Sequence, residues 1–191
     1  MSSAKNNKST TYVSRAGDKL ASVAQALGLD FRNKVVLDVG SSTGGFTDYA
    51  LQHGARKVIA VELGTRQMHP KLRLNKRVEL YEKTNILDYF TSKIPDIIVM
   101  DLSFVSLRKI LPKIAQISNK ETEIVALFKP QFEARDSQKN RGVIKNSAIR
   151  RELMRDFEVW VKNVFIIEAK SDSKVTGSKG NKERFYKLRI I

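Results

Sequence analysis

The stretch Val35-Val36-Leu37-Asp38-Val39-Gly40-Ser41-Ser42-Thr43-Gly44-Gly45-Phe46 passes from a short apolar run into a glycine-rich turn and then into a helical pattern. An apolar run that scarcely alternates with polar residues reads as a strand covered on both faces. Glycines after it let backbone approach a ligand closely at a helix N-terminus. Tight packing of strand on helix is the other reason to find them there. The spacing Gly-x-x-x-Gly-Gly departs from the dinucleotide pattern Gly-x-Gly-x-x-Gly and lacks the Lys-Ser/Thr ending of a P-loop, so a pyrophosphate cradle fits less well.

Outward from this point the same kind of run recurs at Val58–Leu63, Ile97–Met100, Ile124–Phe128 and Val164–Ile167, with a weaker one at Val78–Tyr81. Helical patterns fill the gaps. Phe46, Tyr49 and Ala50 follow the first run, Leu107, Ile110, Leu111, Ile114 and Ile117 follow the fourth, and Ile149, Leu153, Phe157, Trp160 and Val164 precede the sixth. Such alternation predicts parallel strands joined by right-handed helical crossovers. Upstream, Leu20, Val23, Ala24 and Leu27 predict a short helix ending near Gly28. Downstream, Arg184–Ile191 alternates Phe185, Lys187 and Arg189 against Tyr186, Leu188 and Ile190 after the turn-rich Thr176–Asn181, which predicts an antiparallel hairpin with the strand at Val164. The expectation is an α/β, Rossmann-like fold over residues 12–191: a mostly parallel seven-stranded sheet with an antiparallel last strand and helices on both faces. Residues 1–11 are polar and read as a disordered tail.

Composition excludes several function classes. The 191 residues suit one domain, and none is cysteine, which removes disulfides, zinc-thiolate sites and cysteine nucleophiles and fits a reducing, cytoplasmic setting. Only His53 and His69 offer imidazole, and both read as helix-end residues, so no metal site is expected. No apolar run is long enough for a membrane span, and no signal peptide is legible. The 35 basic against 20 acidic residues, net +15, point to a polyanionic partner, with plain solubility as the bland alternative.

In a doubly wound sheet ligands bind beyond the carboxyl ends of the strands. Glu62 ends the second run, 22 positions after Gly40, where a carboxylate can accept both hydroxyls of a ribose or simply meet solvent. Asn85 follows the third strand and could meet an adenine edge or cap the next turn. These residues suggest an adenosine-containing ligand without a phosphate site.

The stretch Val36 to Asp48 resembles the S-adenosyl-L-methionine motif of FtsJ-type RNA ribose methyltransferases. Four more stretches are similar to the TlyA-like, or haemolysin A-like, branch: Tyr12 to Leu20, Asp101 to Leu107, Lys129 to Glu133, and Thr176-Gly177 through Gly180 to Glu183. The branch more often has a second Gly where Ala16 stands. The resemblance covers about residues 12–191 and implies an S-adenosyl-L-methionine-dependent methyltransferase of ribose 2'-hydroxyls in ribosomal RNA. It implies a tetrad of Lys19, Asp101, Lys129 and Glu183, and cofactor contacts from Asp38, Gly40, Ser41, Ser42, Thr43, Gly44, Gly45, Phe46, Glu62, Asn85 and Asp101. The implied partners are ribosomal RNA or ribosomal subunits in a cytoplasmic setting; the sequence leaves the oligomeric state open, with a monomer favoured. Members usually carry an S4-type RNA-binding module ahead of this opening, where the sequence has eleven residues. Either this is the catalytic domain alone, or it finds RNA with its own basic surface.

Methylating a ribose hydroxyl requires aligning a weak nucleophile and removing its proton as the bond forms. Lys129 is the expected general base, with Lys19, Asp101 and Glu183 around it. Each has a plainer reading: exposed helix Lys, turn-capping Asp, solvated Lys before Pro130, cross-strand Glu. The loop Glu133–Asn146, net +2, and the segment Lys170–Arg189, net +5, are candidate RNA contacts, and Phe104 could stack on a base or pack the pocket wall. The competing readings are an RNA-binding or ribosome-associated factor without turnover, a small-molecule methyltransferase and a membrane-active haemolysin.

Overall fold

The computed structural model describes residues 11–91 and 93–191, so the expected tail lies, apart from Thr11, outside the described residues. In chain order the elements are α1 (Arg15–Ala24), β1 (Val35–Val39), α2 (Gly45–Gln52), β2 (Lys57–Val61), α3 (Pro70–Arg73), β3 (Val78–Tyr81), β4 (Ile97–Met100), α4 (Leu107–Gln116), β5 (Glu123–Phe128), α5 (Pro130–Glu133), α6 (Ser147–Val161), β6 (Phe165–Asp172) and β7 (Arg184–Ile190). They form one seven-stranded sheet in the order β3-β2-β1-β4-β5-β7-β6, in which β7 alone runs antiparallel to its neighbours.

The unbroken apolar runs have a simple cause. Successive strand residues point to opposite faces, and both faces are covered. Val36, Val58, Ala60, Ile97, Val99, Val125 and Leu127 pack with Leu20, Val23, Phe46 and Ala50 of α1 and α2. Leu37, Val39, Ile59, Ile98, Met100, Ile124 and Phe128 pack with Ile110, Leu111, Ile114 and Phe157 of α4 and α6.

Two strands depart from the sequence expectation in ways that matter for the sheet. The second strand stops at Val61, and Leu63 is exposed beyond it, because the chain turns there to present Glu62 to the loop after β1. The sixth strand begins at Phe165 and runs to Asp172 with alternating burial, so Val164 and Ile166 are exposed; it is the sheet edge, not a doubly covered strand. The antiparallel strand takes the inner position instead. Phe185, Tyr186 and Leu188 are fully buried, while Lys187 pairs with Glu123 at 3.0 Å and Arg189 with Glu168 at 2.5 Å, which lets charged residues occupy a strand between two others. On α6 the buried residues are Met154, Phe157 and Val161, with Leu153 and Trp160 partly buried against them. Among the described residues no helix is long and apolar enough to cross a membrane.

Candidate active site

Parallel strands β1, β2, β4 and β5 deliver their following residues to one edge of the sheet, and β7, running the other way, starts there. Asp101 follows β4, Lys129 follows β5 and Glu183 precedes β7, while Lys19 lies on α1, which packs over α2. These four side chains form a connected chain of contacts. Lys129 Nζ stands 2.6 Å from Asp101 Oδ1, and Lys19 Nζ lies 3.9 Å from Asp101 Oδ2 and donates to Glu183 Oε2 at 2.7 Å. Two further groups complete it. Lys129 Nζ donates to Ser103 Oγ at 2.9 Å, and Gln131 Nε2 donates to Glu183 Oε1 at 3.1 Å. Lys19, Lys129, Glu183 and Gln131 are all buried.

Burying ion pairs is a poor way to stabilise a fold, since desolvation costs several kcal/mol per ion and a well-packed apolar replacement is often at least as stable. Two lysines and two carboxylates together at the ligand-binding edge are therefore candidates for chemistry. Glycine makes room for one of them: a Cβ on Gly177 would approach Glu183 Oε1 to 2.6 Å. Asn181 fixes the same turn by accepting from Ile144 N and donating to Gly142 O, which ties the Glu133–Asn146 loop to it.

Three connected hollows open at this edge. A cavity of about 680 Å³ is lined by Gly40, Ser42, Glu62, Asn85, Asp101 and Leu102 among others. A narrow slot of about 160 Å³, lined by Ser14, Asp38, Ser41, Thr43, Phe46 and Lys129, continues from it. A cleft of about 640 Å³ lies on the far side, with Lys19, Lys129, Gln131 and Glu183 in its wall and Arg15, Lys139 and Lys179 also lining it. Ser103 borders all three, and Lys129 borders both slot and cleft.

In the larger cavity Glu62 Oε2 accepts from Ser42 N at 2.8 Å and Oε1 from Gly64 N at 2.7 Å, so backbone donors fix the carboxylate while it retains capacity for further donors. Asn85 Oδ1 caps the turn at Ile86–Asp88 by accepting from Leu87 N, and the residue also faces the cavity. In the slot, Asp38 is buried and accepts from Thr47 Oγ1 at 2.7 Å; burial pushes its carboxyl up to about 7, against the pull of that hydroxyl, and nearby Asp101 and Glu62 push the same way. Ser41 Oγ is buried with no hydrogen-bond partner. Gly44 and Gly45 line none of the three hollows. Gly44 adopts φ +96° at the start of α2, where a Cβ would collide with Leu72 of α3, and a Cβ on Gly45 would collide with Ser14 and Ala16, so Gly44 packs toward α3 and Gly45 toward α1.

At the cleft mouth Phe104 is 92% exposed with φ +64°, and its ring centroid lies 5.2 Å from that of Phe132. The histidines sit elsewhere: His53 stacks on Tyr49, and His69 caps α3. Ser103 and Gln131 went unassigned in the sequence, although both lie inside the stretches that carried the resemblance.

The FtsJ-like methyltransferase family model matches residues 12–189. Hemolysin A of Brachyspira hyodysenteriae is 40% identical over 178 residues, covering 90% of this chain and 74% of that one. The 23S rRNA (cytidine-2'-O)-methyltransferase TlyA of Campylobacter jejuni is 36% identical over 181 residues, covering 93% and 71%. A solved structure from Streptococcus thermophilus, described as a candidate hemolysin, superposes with a TM-score of 0.91 at 36% identity, covering 96% of this chain and 69% of that one. The chain spans 50% to 74% of the length of the curated relatives it matches. Solved chains under 20% identical share the fold alone.

Proposed function

The chain belongs to the FtsJ-like methyltransferase family, and from that premise we propose that it transfers a methyl group from S-adenosyl-L-methionine to a ribose 2'-hydroxyl of ribosomal RNA, with Lys129 as the base. S-adenosyl-L-methionine is the donor that membership implies, and the residues present fit it. Glu62 offers acceptors for ribose hydroxyls, Asn85 borders the same cavity, and the slot holds a raised carboxyl at Asp38 and an unpaired hydroxyl at Ser41, partners that an amino-acid tail with its ammonium supplies. Gly40, Ser42, Thr43, Phe46 and Asp101 complete the walls.

When bound, the donor supplies an electrophilic methyl on a cationic sulfonium. The chain's own residues supply alignment and proton removal. The observation that carries the reading is that Lys129 borders both the slot and the cleft, so one amine faces donor and acceptor spaces together. Asp101 Oδ1 lies 2.6 Å from this amine and Ser103 Oγ accepts from it, and the cleft side of Nζ is the approach left to the incoming hydroxyl. Lys19 and Glu183 hold Asp101 from behind, and Gln131 holds Glu183. Two positive charges balance two negative ones in this cluster. Of its two lysines, Lys129 is the one that borders the slot.

The cleft suits a polyanion, since Arg15, Lys139 and Lys179 line it and the sequence carries net +15. Phe104 and Phe132 offer an aromatic surface at its mouth on which an unstacked base can lie. The test is to incubate the chain with methyl-labelled donor and ribosomal subunits or naked ribosomal RNA, then digest to nucleosides. Label on 2'-oxygens supports the reading. Label on bases, or donor binding without transfer, contradicts it.

A further inference from the structure

Around the corner from the cleft, on the side where α6 covers β6 and β7, a separate hollow of about 350 Å³ is lined by Arg150, Arg151, Arg155, Lys170, Arg184 and Glu158. Its cations fall into two groups. Arg150 and Arg184 share Asp172, at 2.9 and 2.6 Å, and Lys170 holds Glu158 at 2.8 Å. Arg151 and Arg155 have no carboxylate partner among the described residues and are exposed one turn apart on α6, where like charges repel. Five cations against two carboxylates leave the group at +3. The chain thus spends some helix stability on an uncompensated pair of guanidinium groups in a concave site, the arrangement that recognises phosphate through paired N–H donors.

The hollow is mechanically joined to the catalytic edge. Arg184 directly follows Glu183, and neighbouring strand residues point to opposite faces, so the catalytic cluster and this hollow flank the first residues of β7. Arg150 Nε also donates to Lys182 O at 3.2 Å, which ties the first turn of α6 to the turn that carries Glu183. We propose that Arg151 and Arg155 bind a backbone phosphate of the same RNA strand whose target ribose enters the cleft, so that the strand crosses the carboxyl edge of the sheet and is held on both sides of it. This rests on the reading of the chain as an RNA methyltransferase. Arg150 and Arg184 shape the wall while remaining engaged with Asp172, and Arg151 and Arg155 supply donors that no carboxylate occupies. Phosphate binding of this kind positions the strand without reading its sequence.

The test compares the full chain with its Arg151→Ala/Arg155→Ala double variant, and with Arg151→Lys/Arg155→Lys, in binding to purified ribosomal RNA across a series of KCl concentrations and in methyl transfer. Both residues are exposed, and a thermal melt checks that each variant remains folded. The proposal expects the slope of log K against log salt to fall in magnitude by roughly 0.7–0.9 for each phosphate that the variant no longer neutralises. It also expects KM for RNA to rise about tenfold with kcat and donor Kd unchanged, and the Lys pair to restore most of the salt slope. An Ala variant with unaltered slope and KM overturns the phosphate site and leaves the methyltransferase reading standing. A parent chain that neither binds nor methylates RNA overturns both.

Discussion

The Lys129 ammonium donates to the Ser103 hydroxyl at 2.9 Å, and that serine borders the donor cavity, the slot and the cleft alike. Asp101 alone would leave the amine free to rotate about its last bond. The Ser103 hydroxyl accepts a hydrogen bond from the amine and so orients it. Ser103→Ala is expected to lower kcat about tenfold, the worth of one hydrogen bond to a charged group, with little change in KM or donor affinity. Ser103→Thr keeps the hydroxyl and should recover most of the rate. Equal kcat in all three proteins would remove Ser103 from the positioning role.

Lys19 and Glu183 meet at 2.7 Å out of solvent, and Glu183 also receives Gln131. Truncating one side leaves a buried charge uncompensated. Glu183→Ala is therefore expected to cost about 3–5 kcal/mol of unfolding free energy, measured by urea titration. Lys19→Met/Glu183→Leu should recover much of that stability while methyl transfer remains abolished. A single variant that unfolds at the parent's urea midpoint would contradict the closed ion-pair geometry.

Asp38 gives a pH dependence with a definite sign. Its carboxyl is pushed by burial from the ordinary range to about 7, so the folded ligand-free chain holds that proton more tightly than the unfolded chain does. The contribution to stability is intact below about pH 4 and is lost as pH rises through about 7, by at most about 4 kcal/mol. Asp38→Asn keeps an acceptor for Thr47 and removes the buried charge. The variant should melt higher than the parent at pH 8 and show no such advantage at pH 4, while binding the donor more weakly. Parallel melting curves across that range would refute the assignment of the burial cost to this carboxyl.

The fold was legible because its strands are marked by unbroken Val, Ile and Leu, which follows from two covered faces. The edge strand was the exception. Val164 to Ile167 looks like the other runs, yet its exposure depends on β7 inserting between β5 and β6, a long-range event that no local pattern encodes. The site divides the same way. Asp101 and Lys129 were visible as polar residues directly after apolar runs, and Glu62 as the carboxylate near the end of one. Ser103 and Gln131 acquire their meaning only from their bonds to Lys129 and Glu183, 26 and 52 residues away. Gly44 and Gly45 have close packing against Leu72 and against Ser14 and Ala16 as a sufficient reason to be glycine, and a glycine that admits a ligand leaves the same letter as one that admits a neighbouring helix.

The most direct test of the account is Lys129→Ala, measured in parallel for donor binding by calorimetry and for 2'-O-methyl transfer to ribosomal RNA. The account predicts donor affinity within a few-fold of the parent and transfer reduced by about 10²–10⁴-fold, with Lys129→Arg equally impaired because a guanidinium does not give up its proton. Transfer at or near the parent rate by either variant would show that another group takes the hydroxyl proton.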